Sequence, residues 1–159
     1  MLFRRLLLLT LFLGINPLIN AQSQAHDSAK SLYEKAVEFE SQNIDSTFYY
    51  VKKAYEQLKS VDSTNVLFAD ILNQYGRAYY LKQDFKTAYS YFERVYETSL
   101  SIGEEANAYK VKVNMAICNR QLDLPERALD DFFDVVSYYE ETVGFPFLGH
   151  LKIRQIIII

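Results

Sequence analysis

The chain has 159 residues and a formal net charge of −3, with 50% hydrophobic, 15% aromatic and 23% charged residues. An acidic balance is a poor electrostatic match to phosphate backbones and anionic lipid, so no nucleic-acid partner is expected. A single cysteine rules out an internal disulfide, and five glycines with three prolines predict long, uninterrupted helices.

The first stretch reads as a leader. Arg4 and Arg5 are followed by an apolar run from Leu6 to Leu13, then by Asn16, Pro17 and Asn20, with the small residue Ala21 ahead of Gln22. This is the three-part layout of a cleaved export signal, and its apolar run is shorter than the ~20 residues a spanning helix needs. The expectation is a signal peptide over 1–21, a flexible segment over 22–28, a helical repeat domain over 29–142 and an apolar tail over 143–159. Export implies the periplasmic or extracellular side of a bacterial envelope.

Six helices are predicted, at about 27–41, 46–60, 64–82, 85–101, 104–122 and 125–142. Leu72, Tyr75, Gly76, Tyr79 and Tyr80 recur at three- and four-residue spacings and define one apolar stripe, and Phe85, Ala88, Tyr89, Phe92, Val95 and Tyr96 define the next. Between them, Lys82, Gln83 and Asp84 interrupt the pattern. Asp62 or Ser63 is expected to cap the helix that follows, Leu100 to Gly103 to close the middle unit, and Pro125 to occupy a first-turn position where its missing N–H costs nothing.

The segments from Leu72 and from Lys112 repeat at a spacing of 40: Gly76 matches Ala116, Ala88 matches Ala128, Phe92 matches Phe132 and Val95 matches Val135. Leu32, Ala36 and Phe39 extend the period backward, while the helix after them is shifted by a residue or two. Small side chains at fixed places let neighbouring helices approach closely. A period of this length marks a stack of helix pairs in which no pair buries its faces alone.

The pattern resembles the tetratricopeptide repeat: Leu72, Tyr75, Gly76, Tyr79, Ala88 and Phe92 fit it in the middle unit, and Met115, Ala116, Ala128 and Phe132 in the third. Departures are Asn119 where Tyr is usual, Lys112 where a large apolar residue is usual, and a period of 40 in place of ~34. The resemblance implies an all-α, right-handed superhelical stack of antiparallel helix pairs, about three repeats long. It also implies a protein-protein interaction or scaffolding module that binds a peptide segment of another protein in its concave face. Carried over position by position, the partner-binding residues are Tyr33, Val37, Asn73, Arg77, Tyr80, Val113, Ile117 and Arg120, an apolar, Tyr-rich surface with Arg77 positioned to meet a partner carboxylate. The alternative is a sensory front of a longer signalling protein, and self-association stays open.

No catalytic, cofactor or metal site is expected. His26 and His150 have no partner at metal-binding spacing, Cys118 reads as a small buried hydrophobe, and the acidic pairs Glu104–Glu105, Asp130–Asp131 and Glu140–Glu141 point to different helix faces. An enzyme would require Asp70, Arg77 and Cys118 to converge in one polar pocket. The apolar tail, from Phe145 to the Ile156–Ile159 run, either packs on the exposed end of the last pair or belongs to a longer chain, where a membrane association would also lie.

Overall fold

A computed structural model describes residues 2–59, 61 and 65–143, with side chains over 19–59, 61 and 65–142. It comprises α1 (Leu2–Phe39), α2 (Ile44–Leu58), α3 (Val66–Leu81), α4 (Phe85–Ser101), α5 (Glu105–Gln121) and α6 (Pro125–Val143). Consecutive helices pack against one another, so that α1–α2, α3–α4 and α5–α6 form three antiparallel pairs in a row, the solenoid arrangement that the period of 40 predicts.

Helix boundaries agree with expectation within about two residues except before residue 27, where α1 runs unbroken through 22–28. The flexible segment expected there is corrected to helix. Gln22, Gln24, Ala25 and Lys30 are favourable helix formers with no glycine or proline among them, and Ala29 and Ala36, both fully buried, anchor the helix from which they extend. Side chains of the expected leader up to residue 18, and the tail beyond 143, lie outside the described residues.

The caps come from Asn and Asp. Asn43 accepts from the N–H of Asp45 and Ser46, Asp84 from Thr87, and Asn65 from Phe68 at 2.8 Å. Asn65 therefore caps α3, in place of Asp62 or Ser63, which lie outside the described residues.

Turn geometry explains the irregular first repeat. Gln83 and Asp123 adopt φ of 62° and 59°, and the next N–H reaches back five residues, Asp84 to the Tyr79 carbonyl at 3.0 Å and Leu124 to that of Asn119 at 2.9 Å. Gly103, at φ 79°, ends α4 in the same way. These are left-handed helix stops of the Schellman type. In the first pair Asn43 reaches back four residues, to Phe39 at 2.8 Å, so that turn is one residue shorter. The spacing from α2 to α4 is consequently 41, and Thr47, Val51 and Ala54 occupy the places of Ala88, Phe92 and Val95.

The predicted packing positions are inside: Gly76, Ala88, Ala116 and Ala128 are all buried. Gly76 matters most, because a methyl built on it would stand 2.5 Å from Cε1 of Phe92, whose ring fills the space a side chain would take. Each pair is also tied near its turn by one contact in the same register. In the first, Phe39 stacks on Tyr50 at 5.6 Å; in the second, Tyr79 stacks on Tyr91 at 5.4 Å. In the third the rings give way to an amide and a carboxylate, Asn119 Nδ2 donating to Asp131 Oδ2 at 2.9 Å, with Lys112 paired to Asp131 and Asp134.

Candidate partner-binding cleft

The helices that lead each pair carry a cleft of about 220 Å³, lined by Glu40, Arg77, Tyr80, Leu81, Phe92, Asn114 and Ile117. The turn after α1 supplies Glu40, α3 supplies Arg77, Tyr80 and Leu81, and α5 supplies Asn114 and Ile117. Phe92 arrives from α4 through the gap left by Gly76, which brings a core ring to the cleft. Leu81 is 52% exposed, and Tyr80 is held by an edge-to-face contact with Phe85 at 5.3 Å.

Of the residues expected to bind a partner, Arg77, Tyr80 and Ile117 line this cleft. Tyr33 lies half buried near Asp70, Arg77 and Glu40, and its hydroxyl pKa is raised, first by burial and then by Asp70. Val37 and Arg120 are exposed, Val113 is half buried, and Asn73 is half buried with its Oδ1 enclosed and unpartnered; none of these four lines the cleft. Glu40, Leu81, Phe92 and Asn114 went unrecognised in the sequence, although Glu40 stands one period before Tyr80.

Arg77 is engaged within the chain itself. Its Nε donates to Glu40 Oε1 at 2.6 Å and its Nη2 to Oε2 at 2.9 Å, a two-pronged ion pair between α3 and the turn after α1. That hydrogen bond raises the guanidinium pKa further. Arg77 is thus a clasp between successive pairs, and a partner carboxylate would have to displace Glu40 to reach it in this geometry.

Asp70, two turns below the cleft on α3, bears a buried-charge cost. Burial raises its carboxyl above the usual carboxylate range, and Lys110 of α5 offsets part of the shift. The folded state then takes up a proton on Asp70 more readily than the unfolded chain. Its cost is absent below the unfolded pKa and reaches its full size once pH has risen past the folded pKa. Asp70→Asn is expected to raise the melting temperature near pH ~7 and to leave it unchanged near pH ~3, where the native carboxyl is already protonated. Thermal denaturation followed by circular dichroism at both values checks this; equal shifts at both would refute it.

The cleft does not gather Asp70, Arg77 and Cys118. Cys118 is fully buried in the core, where burial pushes its thiol up to about 11. Among the described residues no group of three or more His, Cys, Asp and Glu side chains is placed to hold a metal ion, and no helix is long and apolar enough to cross a membrane.

No family model matches the chain, and no curated protein matches it. Among solved structures it is similar to the crystal structure of BtubC (BKLC) from P. vanneervenii, with a TM-score of 0.58 and 17% sequence identity, over 80% of this chain and 59% of that one. The present chain thus spans less than two thirds of the BtubC chain. At this identity the likeness bears on the fold alone.

Proposed function

We propose that the protein is an exported interaction module of tetratricopeptide type, which holds a segment of a partner protein in the cleft between the α1–α2 turn, α3 and α5. The observation that carries this reading is the make-up of the cleft. Tyr80, Leu81, Phe92 and Ile117 give it an apolar interior, while Asn114 and the Glu40–Arg77 pair give it polar groups at fixed positions. Enclosed apolar surface beside a few polar groups is the usual composition of a binding centre. Placement outside the cytoplasm rests on Arg4, Arg5, the apolar run after them and Ala21.

The experiment is site-specific photocrosslinking in the native envelope. A photoreactive side chain at Ile117 is expected to yield a discrete adduct, and one at Lys52, exposed on α2, none. Tyr80→Ala is expected to reduce the Ile117 adduct roughly tenfold or more, the loss typical of an interface tyrosine that anchors binding. Equal adducts from both positions, or recovery insensitive to Tyr80→Ala, would remove the cleft from the mechanism.

A further inference from the structure

Along α3, Asp70, Asn73, Arg77 and Tyr80 follow one another at spacings of three and four residues, which places them on one side of the helix, with the cleft at its far end. Asp70 is half buried, and among the described residues it makes no hydrogen bond and no ion pair. Lys110 of α5, itself exposed, acts on it only through space. One turn up, Oδ1 of Asn73 is enclosed and likewise accepts from no donor. Tyr33 of α1 lies close enough to feel both Asp70 and the Glu40–Arg77 pair, so this spot is continuous with the cleft.

Other half-buried charges have their partners: Glu40 holds Arg77, and Asp131 holds Asn119 and Lys112. An enclosed carboxylate without one is costly. The same feature makes it a prepared counter-ion, because the desolvation that a carboxylate must undergo on meeting a cation has largely been borne in folding.

We propose that Asp70 receives a lysine or arginine side chain of the segment held in the cleft, so that the partner is recognised by an apolar residue and a basic one together. The inference rests on the cleft reading for the identity of that segment, and charge decides its sign. Arg77 is occupied by Glu40, which leaves Asp70 as the unneutralised group on this side of α3, and the chain's net charge of −3 favours the approach of a basic segment. Spacing follows from helix geometry. Asp70 and Arg77 stand ~10 Å apart along the axis at ~1.5 Å per residue, a span that an extended segment crosses in about three residues. The basic residue of the partner therefore lies about three positions from the one that enters the cleft.

The first measurement is the Ile117 photoadduct in the native envelope. Asp70→Asn is expected to lower it about tenfold, the factor carried by one charge-assisted hydrogen bond, and Asp70→Glu to restore most of it. Since Asp70→Asn is expected to stabilise the fold, unfolding cannot account for the loss. Peptide mapping of the adduct should find Lys or Arg about three residues from the crosslinked position. An adduct lost with Tyr80→Ala but untouched by Asp70→Asn overturns this inference and leaves the cleft standing. Should Ile117 give no adduct, the cleft reading fails and a second measurement decides for Asp70: titration of the isotope-labelled full-length chain with acetyl-arginine amide, followed by nuclear magnetic resonance. Saturable shifts around Asp70 are expected, absent in Asp70→Asn and absent with the uncharged isostere acetyl-citrulline amide. A flat titration, or equal shifts with both probes, overturns the proposal. Saturation by calcium chloride at lower concentration than by the arginine probe also overturns it, and assigns the carboxylate to a metal ion.

Discussion

Phe92→Ala is expected to destabilise the protein by about 3–5 kcal/mol, the usual cost of emptying a core aromatic site. The ring is 2% exposed and lies under Gly76, so its removal leaves a void bounded by backbone. Helical backbone collapses into such a space less readily than side chains do, which places the cost toward the upper end. For a domain of this size the melting temperature should fall by roughly 10–20 °C. Urea denaturation separates this from partial unfolding: the midpoint should drop with the slope unchanged. Because Phe92 also lines the cleft, the Ile117 photoadduct should weaken in this variant even at temperatures where it remains folded. A loss below about 1 kcal/mol, outside the range for large-to-small core changes, would mean that Phe92 does not hold the second pair together.

Gly76→Ala is expected to destabilise as well, against the ordinary trend for helices. In an exposed helix interior the change from glycine to alanine gains about 0.5–1 kcal/mol. At Gly76 the new methyl would stand 2.5, 2.7 and 2.9 Å from three atoms of the Phe92 ring. A rigid, enclosed ring cannot yield as a flexible side chain would, so overpacking of about 1–3 kcal/mol outweighs the gain in propensity. The double variant discriminates between causes. With Phe92→Ala already present the clash is gone, and Gly76→Ala should become neutral or stabilising, a coupling that a thermodynamic cycle on the two sites reads directly. Additive losses would place the cause outside the contact between residues 76 and 92.

Small residues made the architecture readable from the sequence. Gly76 with Ala116 and Ala88 with Ala128 mark where helices must nest, and their spacing of 40 locates the neighbouring pairs without any knowledge of contacts. Lys82 to Asp84 and Pro125 mark the breaks. What escaped was set by backbone detail. The first turn is one residue short, because Asn43 closes it on Phe39, whereas Asp84 and Leu124 close theirs one residue further back; no residue type announces this, and it puts Thr47 where the pattern calls for alanine. The extent of α1 was missed for a related reason, polar residues 22–28 offering no apolar stripe although they favour helix.

The cleft was half legible for a different reason. Arg77, Tyr80 and Ile117 follow from helix position alone, since a residue's place on the leading helix fixes which way it faces. Electrostatic partners do not follow in that way. Glu40 and Arg77 lie 37 residues apart and meet through the relative height of two helices, which the shortened first turn alters. An arginine read as available in sequence is therefore a strut in the folded chain. Phe92 shows the complementary gap: its apolar character predicts burial, and it is the absence of a side chain at Gly76 that opens the cleft toward it.

The replacement of stacked rings by Asn119 and Asp131 in the third pair bears on how the array comes apart. Ring stacking is indifferent to salt, while the Asn119–Asp131–Lys112 arrangement, held in part by an ion pair, weakens with it. In a stack whose members lean on immediate neighbours, loosening begins where the tie is weakest and travels inward. The third pair is then the fuse of the array, yielding first at high salt or under tension while the cleft wall contributed by α3 keeps its shape.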